Sequence, residues 1–429
     1  MKTVRRAALE LLVRWEEEKR YLPLSLAHVP KEDRAALTAL LYTTVEHLLT
    51  LDYHISALCG RSDLDPVTRC ILRLGLCQIE YMDHIPPHAA VSETVALARH
   101  RGEAAFVNAV LREAIRSPEK LALPPREKNE LRYLSLRHSV PLPTLRLIDA
   151  ALGRAETEAY LRACERDPGL TLTVNRLRKS REEVLAALRE HGFDAAPSPL
   201  TDSSVCLPRS VPVADLPGFA EGDFFVQDAA ACLAVETLAP RPGDFVIDVC
   251  AAPGGKSFAA ASLVGDRGRV AALELHESKL GLIADGAARL GHTSVAVRAH
   301  DSTAPIDEWI GQADRVICDV PCSGLGVIRK KPDLRYKDPA SFAALPELQY
   351  AILSASADYL RPGGRLLYAT CTILPAENGE IVSRFLAARP DFALVPFGIP
   401  GFCDTGGEVT LLPQTHATDG FYFALLERR

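Results

Sequence analysis

The chain has 429 residues, of which 48% are hydrophobic and 24% charged, and carries a formal net charge of −6. This length predicts two or three domains, and the composition excludes a collagen-like or disordered protein. The negative charge excludes a histone-like coat on nucleic acid but permits a local basic surface. Charged residues interrupt every apolar stretch before the ~20 residues that a bilayer span needs, and the first residues lack the apolar centre of a secretory signal. We therefore expect a cytoplasmic protein with no membrane segment.

The eleven cysteines predict reduced thiols. Their number is odd, they are scattered, and no Cys-x-x-Cys pair occurs, so neither a disulfide framework nor a structural zinc site is expected. The closest pair, Cys318 and Cys322, has three intervening residues and no second pair or histidine cluster nearby. We predict no metal site.

Residues 1–145 are expected to form an all-α bundle. Leucine and valine residues recur at helical spacing on one face, and Asp65-Pro66 is a helix start signal before a second such pattern. Further helices are predicted over residues 91–99 and 105–115. The prolines at 141 and 143 are typical of a connection.

Residues 146–221 are expected to form a small α+β domain that binds RNA or serves as a linker between the other two domains. A strand is predicted over residues 170–175 and a helix over 181–190. Ser180 and Glu183 have the spacing of a capping box at the start of that helix. Residues 200–217 are irregular and β-like.

Residues 222–429 have the alternating pattern of an α/β domain with a mostly parallel, doubly wound sheet. Helical stretches such as 277–290 and 347–360 lie among short apolar strands, which are predicted over residues 245–249, 270–275, 295–299, 316–320 and 366–368. Ligands of such sheets bind beyond the carboxyl ends of the strands. Residues at those ends are therefore the candidates for function.

A loop of small residues follows the first strand of this domain. Small residues let the backbone approach a ligand closely, and the next helix offers free N–H groups to an anion. A Walker A loop needs glycine where Cys250 stands, and the dinucleotide pattern Gly-x-Gly-x-x-Gly is absent, so a nucleoside triphosphate or a dinucleotide is disfavoured. The candidate cofactor-binding residues of the loop are Cys250, Ala251, Ala252, Pro253, Gly254, Gly255 and Lys256.

Three acidic residues, Glu274, Asp301 and Asp319, come at or just after the ends of the next three strands. A single acid at a strand end is usually a helix cap or a solvated group. Three of them at successive strand ends, together with the small-residue loop, suit an adenosine cofactor without phosphates. We therefore predict S-adenosylmethionine.

Cys322 and Cys371 follow the fourth and fifth strands. If the first, fourth and fifth strands are neighbours, both thiols face one cleft beside the cofactor. The usual interpretation of a lone cysteine is a small buried hydrophobic residue. That interpretation is applied to the other nine, which are Cys59, Cys70, Cys77, Cys164, Cys206, Cys232, Cys250, Cys318 and Cys403.

These motifs resemble those of the RNA cytosine-C5 methyltransferases, and most closely the bacterial 16S rRNA enzymes of that family. The resemblance rests on Asp-x-Cys-Ala-Ala-Pro-Gly-Gly-Lys-Ser, Asp-x-Pro-Cys-Ser-Gly, Ala-Thr-Cys-Thr and Pro-Ala-Glu-Asn, which begin at residues 248, 319, 369 and 375. It extends over nearly the whole chain. Residues 173–176 and 226–228 match further family motifs, residues 412–421 match a C-terminal hairpin, and the N-terminal bundle resembles a NusB-type RNA-binding domain.

The resemblance implies methylation of carbon 5 of a cytosine. That carbon is a poor nucleophile, so a thiolate first adds to carbon 6 and creates an enamine. The family assigns this attack to the cysteine at position 371. Asp319 would hydrogen-bond the edge of the base, and Cys322 would assist release of the carbon-5 proton. DNA cytosine methyltransferases instead attack with the Pro-Cys thiol, which here is Cys322, so the two assignments compete. Our hypothesis is Cys371.

The resemblance also implies cofactor contacts. The loop 250–256 would hold the methionyl end of S-adenosylmethionine, Glu274 the ribose, and Asp301 the adenine. Asp319 would lie between cofactor and base.

The implied partner is 16S rRNA, with cytosine 967 as the family's target. Because the base has to leave its stack, a loop or open segment is expected. We expect a monomer.

Three questions stay open. The basic residues Arg329, Lys330, Lys331, Arg335 and Lys337 either contact RNA phosphates or form an ordinary solvated face. The same chemistry on tRNA or on another rRNA cytosine fits the catalytic motifs equally well. A non-catalytic RNA-binding adaptor is disfavoured by the intact cysteines and glycine loop.

Overall fold

The computed structural model describes residues 4–18, 22, 29–60, 63–402 and 404–429. It divides into two compact units. The first comprises Met1–Ala150 and Lys331–Pro339, and the second comprises Ala151–Lys330 and Ala340–Arg429. A short segment that follows Cys322 in sequence thus belongs to the first unit.

The first unit is helical, as predicted. Its helices are α1 (Val4–Glu18), α2 (Lys31–Glu46), α3 (Leu48–Cys59), α4 (Pro66–Tyr81), α5 (Pro87–Val95), α6 (Arg101–Arg116), α7 (Glu130–Arg137) and α8 (Leu142–Leu152), the last of which ends just beyond the unit. The leucines of the predicted apolar faces are buried in one core with Trp15, Ile71 and Leu111. Asp65 caps α4 as expected, because its side chain accepts hydrogen bonds from the main-chain N–H groups of Val67 and Thr68.

Several helix boundaries in this unit differ from the prediction. The helix expected at 91–99 begins four residues earlier, because Pro87 occupies its first turn, where a missing N–H is tolerated. For the same reason Pro143 lies inside the first turn of α8 and not in a connection. Helix α6 also begins earlier than expected, at Arg101, because the side chain of His100 caps it.

The second unit contains two sheets. The smaller one is antiparallel, with the strand order β2-β3-β1-β4. Its elements are α9 (Arg154–Cys164), β1 (Leu170–Val174), α10 (Arg181–Glu190), β2 (Ala196–Pro197), β3 (Ser204–Leu207) and β4 (Phe224–Val226), of which α9 precedes the sheet. The capping box at Ser180 and Glu183 is confirmed. Val184 and Leu188 of α10 pack with Leu172 and Phe224 in a small core.

The larger sheet is mostly parallel, with the order β10-β12-β9-β8-β5-β6-β7 and with β11 paired to β12. Its strands are β5 (Phe245–Asp248), β6 (Arg269–Glu274), β7 (Val295–Ala299), β8 (Ala313–Asp319), β9 (Leu360–Thr370), β10 (Phe392–Leu394), β11 (Glu408–Leu411) and β12 (Phe421–Arg428). The helices of this part are α11 (Ala229–Leu238), α12 (Gly255–Val264), α13 (Glu277–Leu290), α14 (Leu345–Ala357), α15 (Gly379–Ala388) and α16 (Pro413–His416). The five predicted strands are the parallel ones, so the predicted fold class is confirmed.

The antiparallel strands of this sheet, β10, β11 and β12, were not predicted from the sequence. Strand β9 runs for 11 residues, and β12 pairs with it from Tyr422 opposite Thr370 to Glu427 opposite Arg365. Apolar residues cover both faces of the sheet and form two cores. Within the described residues, no helix combines the length and apolar character that a membrane crossing needs.

Candidate active site

The candidate residues of the sheet come together at one edge because the strands that carry them are parallel. Asp248 is the last residue of β5, Glu274 of β6, Asp319 of β8 and Thr370 of β9. Strand β8 lies between β5 and β9, so the neighbour relation expected for the first, fourth and fifth strands is confirmed. The loops that follow these strands therefore lie together at the carboxyl edge of the sheet.

The loop after β5 allows a ligand to approach its main chain closely. Gly254 has φ of 114°, a conformation that favours glycine, and a Cβ there would lie 2.2 Å from the ring of Phe258. Helix α12 begins at Gly255 without a side-chain cap, so no capping side chain accepts a hydrogen bond from its first N–H groups. Below the loop, Ser257 Oγ donates to Asp248 Oδ2 at 2.6 Å, and burial raises the pKa of Asp248 to about 6.

Glu274 and Asp301 are in different environments. Glu274 is buried, and its Oε1 accepts a hydrogen bond from the main-chain nitrogen of His276 at 3.0 Å and lies 3.6 Å from Nζ of Lys279. Asp301 is exposed and accepts from the main-chain nitrogen and the hydroxyl of Thr303 at 3.0 and 2.8 Å, which lowers its pKa. Glu274 is thus already held in place, whereas Asp301 forms a local turn at the surface.

Lys256 and Asp319 form an ion pair across the site. Lys256 Nζ lies 2.6 Å from Asp319 Oδ2 and 5.2 Å from the centre of the Phe421 ring. Burial opposes the charge of Lys256, but the nearby carboxylate outweighs it, so the pKa of this lysine is raised. Nothing in the sequence pattern indicated that this loop lysine and the acid after β8 are partners.

The sulfur atoms of Cys322 and Cys371 lie 3.3 Å apart. That separation is well beyond a disulfide bond of ~2.05 Å and allows one thiol to donate a hydrogen bond to the other sulfur. The hydrogen bond to Cys371, reinforced by burial, raises the pKa of Cys322 well above its ordinary value. The prediction that these two thiols lie close together is therefore confirmed.

The other cysteines fit the packing interpretation in the described residues. Cys70, Cys77, Cys164, Cys232 and Cys318 are buried. Burial raises the pKa of the Cys77 thiol to about 12, so it is inert at neutral pH. Cys59, Cys206 and Cys250 are half-buried, and Cys403 lies outside the described residues.

Family models match three successive parts of the chain. Residues 2–116 match the NusB family, residues 145–214 match the ferredoxin-like domain of RsmF/B-like methyltransferases, and residues 235–427 match the 16S rRNA methyltransferase RsmB/F. A probable ribosomal RNA small subunit methyltransferase B of Synechocystis is 37% identical over 92% of this chain and 91% of its own length. The chain belongs to this methyltransferase family.

Other relatives agree with this assignment. A probable ribosomal RNA small subunit methyltransferase B of Bacillus subtilis is 34% identical over 100% of this chain and 99% of its own. The crystal structure of the protein PH0851 superposes with a TM-score of 0.82 at 28% identity, covering 100% of this chain and 99% of that one. The resemblance stated from the motifs, including the NusB-like N-terminal part, is confirmed.

Three of the five basic residues in the run 329–337 are paired within the protein, which fits neither phosphate contact nor an ordinary solvated face. Arg329 Nε donates to Asp419 at 2.8 Å, and Lys330 Nζ lies 2.6 Å from Asp228 and 2.8 Å from Asp419. Arg335 is buried in the first unit, where it donates to main-chain carbonyl oxygens. These three cations are used within the protein because buried carboxylates and carbonyls need donors.

The remaining two lysines of the run are more accessible. Lys331 is exposed and Lys337 is half-buried. Among the residues that the structure describes, no group of three or more histidine, cysteine, aspartate or glutamate side chains could hold a metal ion.

Sequence reasoning missed the contacts of the pair Glu377 and Asn378, which it included only in a family motif. Both side chains are 2% exposed and hydrogen-bond the loops that carry Cys322 and Cys371. The available signal was the presence of two adjacent polar residues in an otherwise apolar stretch soon after a candidate nucleophile.

Proposed function

We propose that this chain transfers a methyl group from S-adenosylmethionine to carbon 5 of a cytosine in 16S rRNA, through a covalent bond between Cys371 and carbon 6. The observation that carries the proposal is the 3.3 Å separation of the Cys322 and Cys371 sulfur atoms at the strand edge that also carries the Lys256–Asp319 pair. A polarised thiol pair beside a fixed carboxylate suits attack on a pyrimidine better than any other chemistry available to these residues.

The residues at the edge fit S-adenosylmethionine. The uncapped first turn of α12 and the glycine at 254 suit the carboxylate of the methionyl group, and the buried Glu274 suits a ribose diol. In this proposal the loop 250–256 holds the methionyl end, Glu274 the ribose and Asp301 the adenine edge. Bound there, S-adenosylmethionine supplies an electrophilic methyl group.

Two environments favour Cys371 over Cys322 as the nucleophile. Lys256 interacts electrostatically with the sulfur of Cys371, and a nearby cation favours a thiolate. The hydrogen bond to Cys371 and burial raise the pKa of Cys322, so its neutral thiol can donate a hydrogen bond to the Cys371 sulfur.

The covalent steps follow from this arrangement. The Cys371 thiolate bonds to carbon 6, which places negative charge on the ring edge, where Asp319 holds the base. After carbon 5 is methylated, its proton leaves and passes to water, and Cys322 assists this release. The electron pair of that carbon–hydrogen bond restores the double bond between carbons 5 and 6, the carbon–sulfur bond breaks, and Cys371 leaves as a thiolate.

The proposed target follows from the family. Small-subunit rRNA is named for both relatives described above, and we propose cytosine 967 of 16S rRNA in an open segment as the substrate of a monomeric, metal-independent enzyme. We further propose domains at 1–145, 146–221 and 222–429, whose boundaries limited proteolysis would locate.

A denaturing gel tests the roles of the two thiols. Each variant is incubated with 16S rRNA and S-adenosylmethionine, and the protein–RNA adduct that survives denaturation is measured. Cys322→Ala should accumulate adduct, because release is impaired, and Cys371→Ala should form none. Cys206→Ala, which removes another half-buried thiol, should behave as the unaltered enzyme. An adduct with Cys371→Ala but not with Cys322→Ala would reverse the roles.

Mapping of 5-methylcytosine in total RNA with and without the gene tests the target. Loss of one modified position in 16S rRNA supports the proposal. Loss of a position in tRNA would keep the chemistry and change the substrate, and no loss at any position would favour an RNA-binding adaptor.

A further inference from the structure

The turn that follows the Cys371 loop carries two buried polar residues that the reaction steps leave unused. A short 3₁₀ turn spans Pro375–Glu377, and Asn378 precedes α15. Glu377 and Asn378 are each 2% exposed. Buried polar side chains persist where their hydrogen bonds are needed, so the contacts of each one indicate what it does.

Asn378 hydrogen-bonds the residues on both sides of Cys371. Its Oδ1 accepts a hydrogen bond from Thr370 Oγ1 at 2.6 Å, and its Nδ2 donates to the carbonyl oxygen of Thr372 at 3.1 Å. Both threonines are 0% exposed. The backbone that carries the Cys371 sulfur is therefore fixed before and after the cysteine.

Glu377 does the same for Cys322, with help from Gln349 of α14. Glu377 Oε2 accepts from the main-chain nitrogen of Ser323 at 2.9 Å and from Gln349 Nε2 at 2.8 Å. Gln349 Nε2 also donates to the carbonyl oxygen of Pro321 at 2.9 Å. The residues immediately before and after Cys322 are thus both tied to this pair.

The two loops are also joined to each other. The hydroxyl groups of Ser323 and Thr372 lie 2.7 Å apart, and Tyr368 Oη donates to the carbonyl oxygen of Glu377 at 2.7 Å. Because Glu377 and Asn378 are adjacent in sequence, one rigid peptide unit connects the supports of both cysteines. The supports of both cysteines therefore come from the same turn.

We propose that Glu377 and Asn378 are positioning residues for the thiol pair. Asn378 fixes the loop of Cys371 and Glu377 fixes the loop of Cys322, so that the two sulfur atoms stay within hydrogen-bond distance of each other. This inference rests on the proposed function for its catalytic consequence, but the placement of the thiols can be measured without any methylation.

Thiol–disulfide exchange measures the placement of the two thiols. The full-length protein is equilibrated with oxidised and reduced glutathione, quenched in acid, and the Cys322–Cys371 disulfide is quantified by mass spectrometry. Asn378→Ala should lower the effective concentration of one thiol at the other about tenfold or more, because misplacement of ~1 Å commonly has effects of that size. An unchanged effective concentration would overturn the role of Asn378.

Asn175→Ala is the matched control for lost burial and hydrogen bonding. Asn175 is 0% exposed, and its Nδ2 donates to the carbonyl oxygens of Gly222 and Leu290 at 2.9 and 2.8 Å. This variant should be destabilised, yet keep the effective concentration of the two thiols. A fall as large as that of Asn378→Ala would mean that the exchange assay reports only general loosening, which would overturn the proposal.

The same exchange measurement tests Glu377. Glu377→Ala removes the oxygen that accepts from Ser323 and Gln349, so it should lower the effective concentration of the two thiols about tenfold or more. Glu377→Gln keeps an oxygen that can accept from Ser323 and should retain most of it. An unchanged effective concentration in Glu377→Ala would overturn the role of Glu377.

The catalytic consequence is measured last. In steady-state methylation, Asn378→Ala and Glu377→Ala should lower kcat ~10–100-fold with KM for RNA nearly unchanged. If the exchange measurements change as expected but the unaltered protein methylates no cytosine, the proposed function fails while the positioning role stands. If the unaltered protein is active and neither variant lowers kcat, the positioning role fails.

Discussion

The ammonium nitrogen of Lys256 lies 2.6 Å from a carboxylate oxygen of Asp319, and this ion pair joins the loop after β5 to the end of β8. The side chains of the two residues are 12% and 29% exposed. The pair is therefore partly screened by solvent, but each partner orients the other. Asp319 is held by the same lysine whose charge acts on Cys371, so the proposed nucleophile and the proposed base-binding acid share one cation.

Lys256→Met should impair both stability and activity. Removal of the cation leaves Asp319 without its partner and withdraws positive charge from Cys371, so we expect a loss of ~2 kcal/mol in the free energy of unfolding. The methylation rate should fall by about 100-fold. Denaturant unfolding and a methyl-transfer assay measure the two effects. Lys120→Met, which breaks a surface ion pair with Glu113, should leave stability nearly unchanged.

Asp248→Asn should reduce the dependence of stability on pH. Burial raises the pKa of Asp248 to about 6 in the folded protein, whereas the unfolded chain has a value near ~3.9. Because the folded pKa is raised, the protonated carboxyl stabilises the protein below pH ~4, and that contribution is lost as the pH rises through about 6. The free energy of unfolding of the unaltered protein should therefore fall as the pH rises between these two values.

Denaturant unfolding at several pH values from about 4 to about 7.5 checks this expectation. The difference of ~2 pKa units corresponds to a decrease of ~3 kcal/mol in the free energy of unfolding between pH ~4 and neutral pH. Asp248→Asn should abolish this decrease. Burial also raises the pKa of Asp419 to about 6, so some dependence of the same sign should remain. An unaltered slope in Asp248→Asn would contradict the prediction.

Gly326→Ala should disrupt the Cys371 loop. A Cβ at Gly326 would lie 1.9 Å from the carbonyl oxygen of Gly420 and 2.8 Å from that of Cys371, and main-chain atoms cannot yield as a flexible side chain can. We expect a loss of several kcal/mol in stability, on the order of 3 or more, together with loss of methylation. Gly281→Ala in α13, where a Cβ meets nothing within 4 Å, should instead stabilise the protein by ~1 kcal/mol.

Arg335→Ala should weaken the first unit without changing the electrostatics of RNA binding. Arg335 is 3% exposed and donates to the carbonyl oxygens of Glu46 and His138 at 3.2 and 3.0 Å. Leaving buried carbonyls unpaired should lower stability by ~2 kcal/mol. The slope of log K for RNA against log salt should stay the same, because no phosphate contact is lost. A slope whose magnitude falls by about one would show instead that Arg335 contacts a phosphate.

The local sequence determined most of the elements that carry the site. Helix 181–190 with its capping box, helix 277–290 and strand 295–299 have the predicted boundaries, because short-range signals such as a cap or a period of apolar residues set them. Boundaries were wrong where proline occupied a first helical turn, since proline there is compatible with both a connection and a helix. The strands β10 to β12 could not be predicted from their own pattern, because pairing partners distant in sequence decide them.

The sequence also placed both cysteines at strand ends, and with a parallel sheet this was enough to predict that they meet. Only the tertiary structure decided what surrounds them. Whether Arg329 and Lys330 face RNA or Asp419, and whether Glu377 supports Cys322, depends on side chains brought together from positions far apart in the chain. Residue type sets which interactions are possible, but burial and distance set which of them form, and both arise only when the elements pack.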